Sequence, residues 1–173
     1  MAFKQDWQLF RDLINKYNIE YLYHFTDSAN IPLIKQKRGL LSWWYCDKNG
    51  INIPCPGGND LSRRLDTIKK LENYIHLCFN NNQPMCYKAL QEGRLKDPIF
   101  LKIDPEVIYW KETKFSNINA TDSFSIIGES FEDFNNIDFD IALNNRWCSE
   151  EEKKKHQAEV MVQQYIPLRY ITF

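Results

Sequence analysis

The chain has 173 residues, 43% of them hydrophobic, enough for a single domain with its own core. A formal net charge of −1 and a pI of about 6.3 argue against a protein that coats nucleic acid or membrane by bulk charge, while leaving room for a local basic groove. No apolar run approaches the roughly 20 residues that span a bilayer, and "MAFKQDWQLFRDL" holds no apolar leader, so we expect a cytoplasmic protein without membrane contact whose five cysteines are free thiols.

Apolar residues at Phe3, Trp7, Phe10, Leu13, Ile14 and Tyr17 recur at three and four, which predicts an amphipathic helix over "AFKQDWQLFRDLINKYN" closed by Asn18. "YLYHF" predicts a short strand; Thr26 or Asp27 then caps a helix carrying Ile31, Leu33 and Ile34 that stops before Gly39. His24 therefore stands at a strand end, ahead of a helix N-terminus. With three glycines, two prolines and three asparagines, residues 46–60 read as a long loop. A helix "LSRRLDTIKKLEN" follows, then a strand "YIHLCF" ended by the turn "NNNQP", and a short helix "PMCYKALQEG" with Gly93 at its C-terminal cap. "PIFLKI" reads as a strand and "VIYW" as another strand or its extension. Residues 114–148 show no clean period and read as irregular functional loops, with one short helix near "IDFDIALNNRW". Ser149 and Glu152 have the spacing of a capping box for the helix "SEEEKKKHQ", and "AEVMV" and "YITF" are strands.

The chain lacks GxxxxGK[ST], GxGxxG, HExxH, EF-hand and GxSxG patterns. His24, His76, His156 and the cysteines lack metal-ligand spacing, so no metal is expected. Glu159 stands out by its setting. It lies between Ala158 and Val160 at the start of an apolar strand, where a carboxylate is costly unless something positive or hydroxylic meets it. The bland alternative is a glutamate facing solvent from an edge strand.

Four blocks, "YLYHFTDSANIPLIKQKRGLLS", "LSRRLDTIKKLENYIHLCFNNNQPMCY", "PIFLKIDPEVIYWKETKFSNINATD" and "HQAEVMVQQYIPLRYI", resemble in order and spacing the DarT-type family of nucleic-acid ADP-ribosyltransferases. No single block is specific; the four together are. The resemblance implies an α+β fold, an ADP-ribosyltransferase-like split β-sandwich with flanking helices and NAD in the central cleft, as one domain over residues 1–173. It implies Glu159 and Arg63 as catalytic residues, with Arg64 as the rival because the adjacent pair leaves the register open by one. It places His24, Thr26, Asn30, Arg63, Tyr74 and Met85 around NAD, and Asn119 and Trp147 toward the acceptor. Asn73 and His76 depart from the pattern, which puts the acceptor in doubt more than the chemistry.

The implied reaction moves ADP-ribose from NAD to a nucleobase of single-stranded DNA, with RNA or protein as alternative acceptors and a non-catalytic binding module on the same fold as the alternative of another class. Cleavage at ribose C1′ develops oxocarbenium character, which a carboxylate bonded to the 2′-hydroxyl stabilises more than the ground state. The nicotinamide leaves as a neutral group, so neither metal nor strong acid is required. Thymidine and guanosine remain open as the base. Trp43, Trp44 and Trp147 are base-stacking candidates. Lysines and arginines at 35–38, 63–70 and 153–155 form local basic patches. A toxin acting as a monomer, with a macrodomain-type antitoxin as partner, is implied by the resemblance alone.

Overall fold

Helix α1 (Trp7–Lys16) turns Phe10, Leu13 and Ile14 onto one buried stripe, as the spacing predicts, and Asn18 closes it with a left-handed φ of 50°. In the computed structural model, which describes residues 1–173, this stripe packs on a seven-stranded sheet. Its strands are β1 (Leu22–Asp27), β3 (Tyr74–Cys78), β4 (Pro98–Ile103), β5 (Lys114–Ser116), β6 (Ile127–Gly128), β7 (Glu159–Gln163) and β9 (Ile171–Thr172), ordered β6-β5-β7-β3-β1-β4-β9. Every pairing is antiparallel. A separate ribbon pairs β2 (Gly39–Leu41) with β8 (Tyr165–Pro167).

The sheet is divided at its middle. β1 runs beside β4 from Leu22 to Asp27, and β3 beside β7 from Tyr74 to Cys78, but β1 and β3 share a single register pair, Tyr23 with Cys78. Beyond that pair the two half-sheets part and open a cleft. Alternation along β3 and β7 sends Ile75, Leu77, Val160 and Val162 into the main core with Phe115, and turns Tyr74, His76 and Glu159 to the cleft. Phe10 fixes the core side, with its ring 5.4 to 5.6 Å from Phe115, Phe131 and Phe134.

Helix α2 (Ile31–Gln36) is followed by α3 (Trp43–Lys48), so residues 46–48, expected as loop, are helical: the Ser42 side chain accepts the Tyr45 N–H and starts the helix early. Asn59 and Ser62 form a reciprocal capping box for α4 (Asp60–Ile68), and α5 (Pro84–Gln91) ends near Gly93, whose φ of 71° suits the predicted cap. "VIYW" is not a strand. Pro105–Tyr109 is a 3-10 turn, started by the Asp104 carboxylate on the Glu106 N–H at 2.8 Å, which folds Val107 and Ile108 inward. Residues 114–148 contain β5, β6, α6 (Phe131–Asn135) and α7 (Phe139–Ala142), elements too short to show a period. In α8 (Glu150–His156) Ser149 caps Glu152, while the Glu152 carboxylate reaches Cys148 N–H rather than that of Ser149, so only half of the predicted box forms.

Gly39 serves a purpose other than closing a helix. Arg38 takes the left-handed φ of 57°, and a Cβ on Gly39 would stand 2.3 Å from the Ile166 carbonyl oxygen, so glycine permits β2 to approach β8. No helix is long and apolar enough to cross a membrane.

Asp27 ties β1 to the chain entering β4: its carboxylate accepts the N–H groups of Ala29, Lys96 and Asp97. Bonds from Asp97, Lys96 and Ala29 hold its carboxyl below the usual carboxylate range. A depressed folded pKa stabilises above the unfolded value of about 3.9, and that stability is lost as pH falls through the folded one. Asp27→Asn is expected to melt below wild type at pH 7, with the gap closing under acid conditions; a gap that widens in thermal melts below pH 4 would refute this.

Candidate active site

The cleft contains a cavity of about 260 Å³. Of the residues expected at the site, His24 reaches it from the middle of β1 rather than from a strand end, because the strand runs on to Asp27, while Thr26 reaches it from near the end of β1, Asn30 from the turn after it and Arg63 from α4. Tyr74 comes from β3, Met85 from the first turn of α5, Asn119 from the loop after β5, and Glu159 from the start of β7. Trp147 does not line it. That indole packs on His156 with ring centroids 4.8 Å apart.

Glu159 is interior, not on an edge: β7 lies between β5 and β3, and the side chain is 14% exposed. Its Oε2 lies 2.6 Å from Nδ1 of His76, placed diagonally across the β3–β7 pair. On the other side of the ring, Nε2 lies 3.8 Å from Oδ1 of Asp66 on α4. Burial disfavours a charged imidazole, but the attraction of Glu159 and Asp66 outweighs it and carries the His76 pKa up to about 9. Burial pushes the Asp66 carboxyl up. His76 thus supplies the positive partner that Glu159 demands.

His24 is in the opposite condition. Its Nδ1 is 2.9 Å from the His76 carbonyl oxygen, which can only accept, so Nδ1 carries the proton and donates. Burial lowers its pKa, so at neutral pH the ring is uncharged and Nε2 is left as an acceptor, suited to a hydroxyl. The bond also crosses the point where the half-sheets part.

Arg63 stacks its guanidinium over Trp43 at 5.1 Å from the ring centroid, and its buried Nε has no partner. It belongs to none of the ion pairs. A half-buried guanidinium with open donors facing a cavity is chemically suited to an anion such as a pyrophosphate. Arg64 is exposed and does not line the cavity, whereas Arg63 does.

Both ends of the Asn30 amide are engaged within the protein. Its Nδ2 donates to Thr26 Oγ1 and to the Cys55 carbonyl, and its Oδ1 accepts the Cys55 N–H, so it clamps the loop between α3 and α4 against β1. Asn119 uses Oδ1 on the Thr121 N–H and hydroxyl, which bends the loop at the cavity rim. Lys69, expected in a basic patch, instead donates to Ala120 O, Asp122 O and Ser125 Oγ and staples that loop to the end of α4. Lys153, Lys154 and Lys155 are all engaged with acidic neighbours, so the third basic patch is internally neutralised.

Sequence reasoning missed His76 and Asp66 as site residues, and read Trp43 as a base-stacking candidate rather than as the support of Arg63. Two signals were present: His76 shares strand parity with Tyr74, and Asp66 follows Arg63 by three residues on one helix face.

A family model described as "DarT: ssDNA thymidine ADP-ribosyltransferase" matches residues 23–173. The chain belongs to the DarT family. Membership brings the family's reaction, NAD-dependent ADP-ribosylation of single-stranded DNA. No curated protein sequence matches this chain. Among solved structures, a Thermus sp. 2.9 DarT in complex with ADP-ribosylated ssDNA superposes with a TM-score of 0.73 at 16% identity, over 89% of this chain and 79% of that one. A Thermosipho africanus DarTG in complex with ADP-ribose gives 0.74 at 24% identity, over 88% of this chain and 43% of that longer one. The Thermus DarT in complex with NAD+ gives 0.64 at 17% identity, over 88% and 79%. These likenesses establish the ADP-ribosyltransferase fold.

Lys69→Ala is expected to leave the core folded and free the 119–126 loop. Limited proteolysis would then cut within that loop several-fold faster than in wild type, whereas an unchanged digestion pattern would show that the staple does not restrain it.

Proposed function

We propose that this DarT transfers ADP-ribose to thymidine in single-stranded DNA, with Glu159 as the catalytic carboxylate and Arg63 as the anion-binding group. The observation that carries this reading is a single one: a largely buried carboxylate, an unpaired guanidinium and a neutral histidine acceptor line one cavity between the half-sheets. NAD supplies the ADP-ribosyl group and a nicotinamide that departs neutral. The bond from C1′ to nicotinamide breaks, a bond from C1′ to the base forms, and the proton lost by the base goes to the Glu159 carboxylate. Glu159 holds the ribose 2′-hydroxyl and places negative charge beside C1′. His24 accepts from a ribose hydroxyl through Nε2. Arg63, backed by Trp43, holds the pyrophosphate, and Tyr74 and Met85 supply apolar wall around the nicotinamide half. Thr26 and Asn30 act through the loop they hold at Cys55. Asn119, at the rim, meets the acceptor base.

Thymidine follows the description of the family. The core from Phe10 to Ile171 supports one transferase domain over residues 1–173, and one chain builds the whole cleft, which supports a monomer. Five unpaired cysteines support a reducing, cytoplasmic setting. A toxin role with a macrodomain-type antitoxin rests on the family resemblance, and the likeness to a DarTG supports it.

Mass spectrometry of short single-stranded oligonucleotides after incubation with NAD tests the reading. A gain of one ADP-ribose on thymidine-containing DNA, absent with Glu159→Ala, is expected; a gain on thymidine-free DNA or on RNA alone would move the acceptor, and no gain with folded protein would leave a binding module. Arg63→Lys, which keeps charge and loses the fork and the stack on Trp43, is expected to raise KM for NAD about tenfold or more; an unchanged KM would remove Arg63 from NAD binding.

A further inference from the structure

Glu159 projects from an interior strand on three rotatable bonds into a cavity, so a free carboxylate would sample several orientations there. His76 ends that sampling. The two residues stand on neighbouring strands deep in one half-sheet, so the backbone fixes both ends of their 2.6 Å contact. We propose that His76 is a positioning residue for ADP-ribosyl transfer: it ties down Oε2 of Glu159 and so presents Oε1 to the ribose. The assignment rests on the reading of Glu159 as the catalytic carboxylate.

The groups facing His76 from each packed element agree with this role. Glu159 faces it from β7, Asp66 from α4, and the uncharged His24 donates to its carbonyl from β1, with Arg63 one helical turn before Asp66 on the wall of the same cavity. A lone imidazolium would cancel the charge of Glu159 just where negative field is needed. Asp66 prevents that, because two carboxylates and one imidazolium leave the trio with a net charge of −1. The positive charge is shared with a second carboxylate, and Glu159 keeps field for the developing cation at C1′.

A purely structural ion pair is a weak alternative, since buried pairs contribute little net stability against apolar replacement. His76 also stays charged through neutral pH and loses a proton only at about 9; the neutral ring keeps Nδ1–H on Glu159 but no longer offsets the repulsion between the Glu159 and Asp66 carboxylates, which strains the one bond that remains. The transfer rate then has an alkaline limb that belongs to His76.

Steady-state kinetics of the full chain with NAD and a thymidine-containing oligonucleotide test this. His76→Leu is expected to lower kcat about 10²-fold, as misplacement of a catalytic group by an ångström does, with KM for NAD within about threefold of wild type. His76→Asn, whose amide donates from the place of Nδ1, is expected to recover kcat to within about tenfold of wild type and to lose the alkaline limb near pH 9. A limb caused by ionisation of the acceptor base would survive that change. In a Glu159→Gln background, His76→Leu is expected to add no further loss. A kcat for His76→Leu within about threefold of wild type, a loss confined to KM, or additive losses in the double variant would overturn the assignment. Should the Leu variant fail to fold by circular dichroism, the Asn variant decides, and an unchanged alkaline limb overturns the proposal. Full activity of Glu159→Gln would instead remove the reading on which it rests, while an inactive Glu159→Gln beside an active His76→Leu removes only the role of His76.

Discussion

One pair of residues joins the two halves of this protein's sheet. Past Tyr23 and Cys78, β1 and β3 diverge, and the backbone groups that a continuous ladder would satisfy are handed to side chains. His24 takes the His76 carbonyl, and the Cys78 thiol takes the Tyr23 carbonyl at 3.2 Å. The cavity is the space left by that divergence. His24, His76 and Glu159 are placed in it by strands of the two half-sheets, and Arg63 and Asp66 by α4.

Charge in the cavity is partitioned rather than mixed. The carboxylates of Glu159 and Asp66 share His76, while Arg63 rests on the face of Trp43 and takes no carboxylate. An arginine bound to Glu159 would consume both the donor set and the negative field; a histidine between two acids leaves one unit of negative charge, and an indole leaves the guanidinium fork open. In this way the cavity offers a cationic wall and an anionic wall at once, which suits a substrate with a phosphate-bearing end and a reacting centre that becomes positive.

Much of the frame is legible in the sequence, because α1, β3, β4 and β7 have periods long enough to read and caps such as Asn18 and Gly93 with one conformational meaning. Glu159 is legible for an energetic reason, as a carboxylate in an apolar strand needs a partner. Which partner is a matter of tertiary pairing, and the register that sets His76 diagonal to Glu159 leaves no local trace. The same holds for Asn30, whose fit to the family pattern suggests ligand contact while its hydrogen bonds go to Cys55. The 114–148 stretch is opaque because its strands and helices are two to five residues long and owe their form to contacts with α1, α4 and α8. Trp147, a base-stacking candidate in sequence, packs on His156 in space.

The loop from Asn49 to Asn59 covers the cavity without belonging to either half-sheet, and the Asn30 side chain fastens it at one residue. Two hydrogen bonds join its amide to the N–H and carbonyl of Cys55, and a third, to Thr26 Oγ1, orients the amide. Lifting this cover costs one side-chain attachment rather than a strand or a helix, so the amides of the loop can exchange with solvent through an opening far smaller than global unfolding. Opening of this loop is thereby uncoupled from the stability of the Phe10 core.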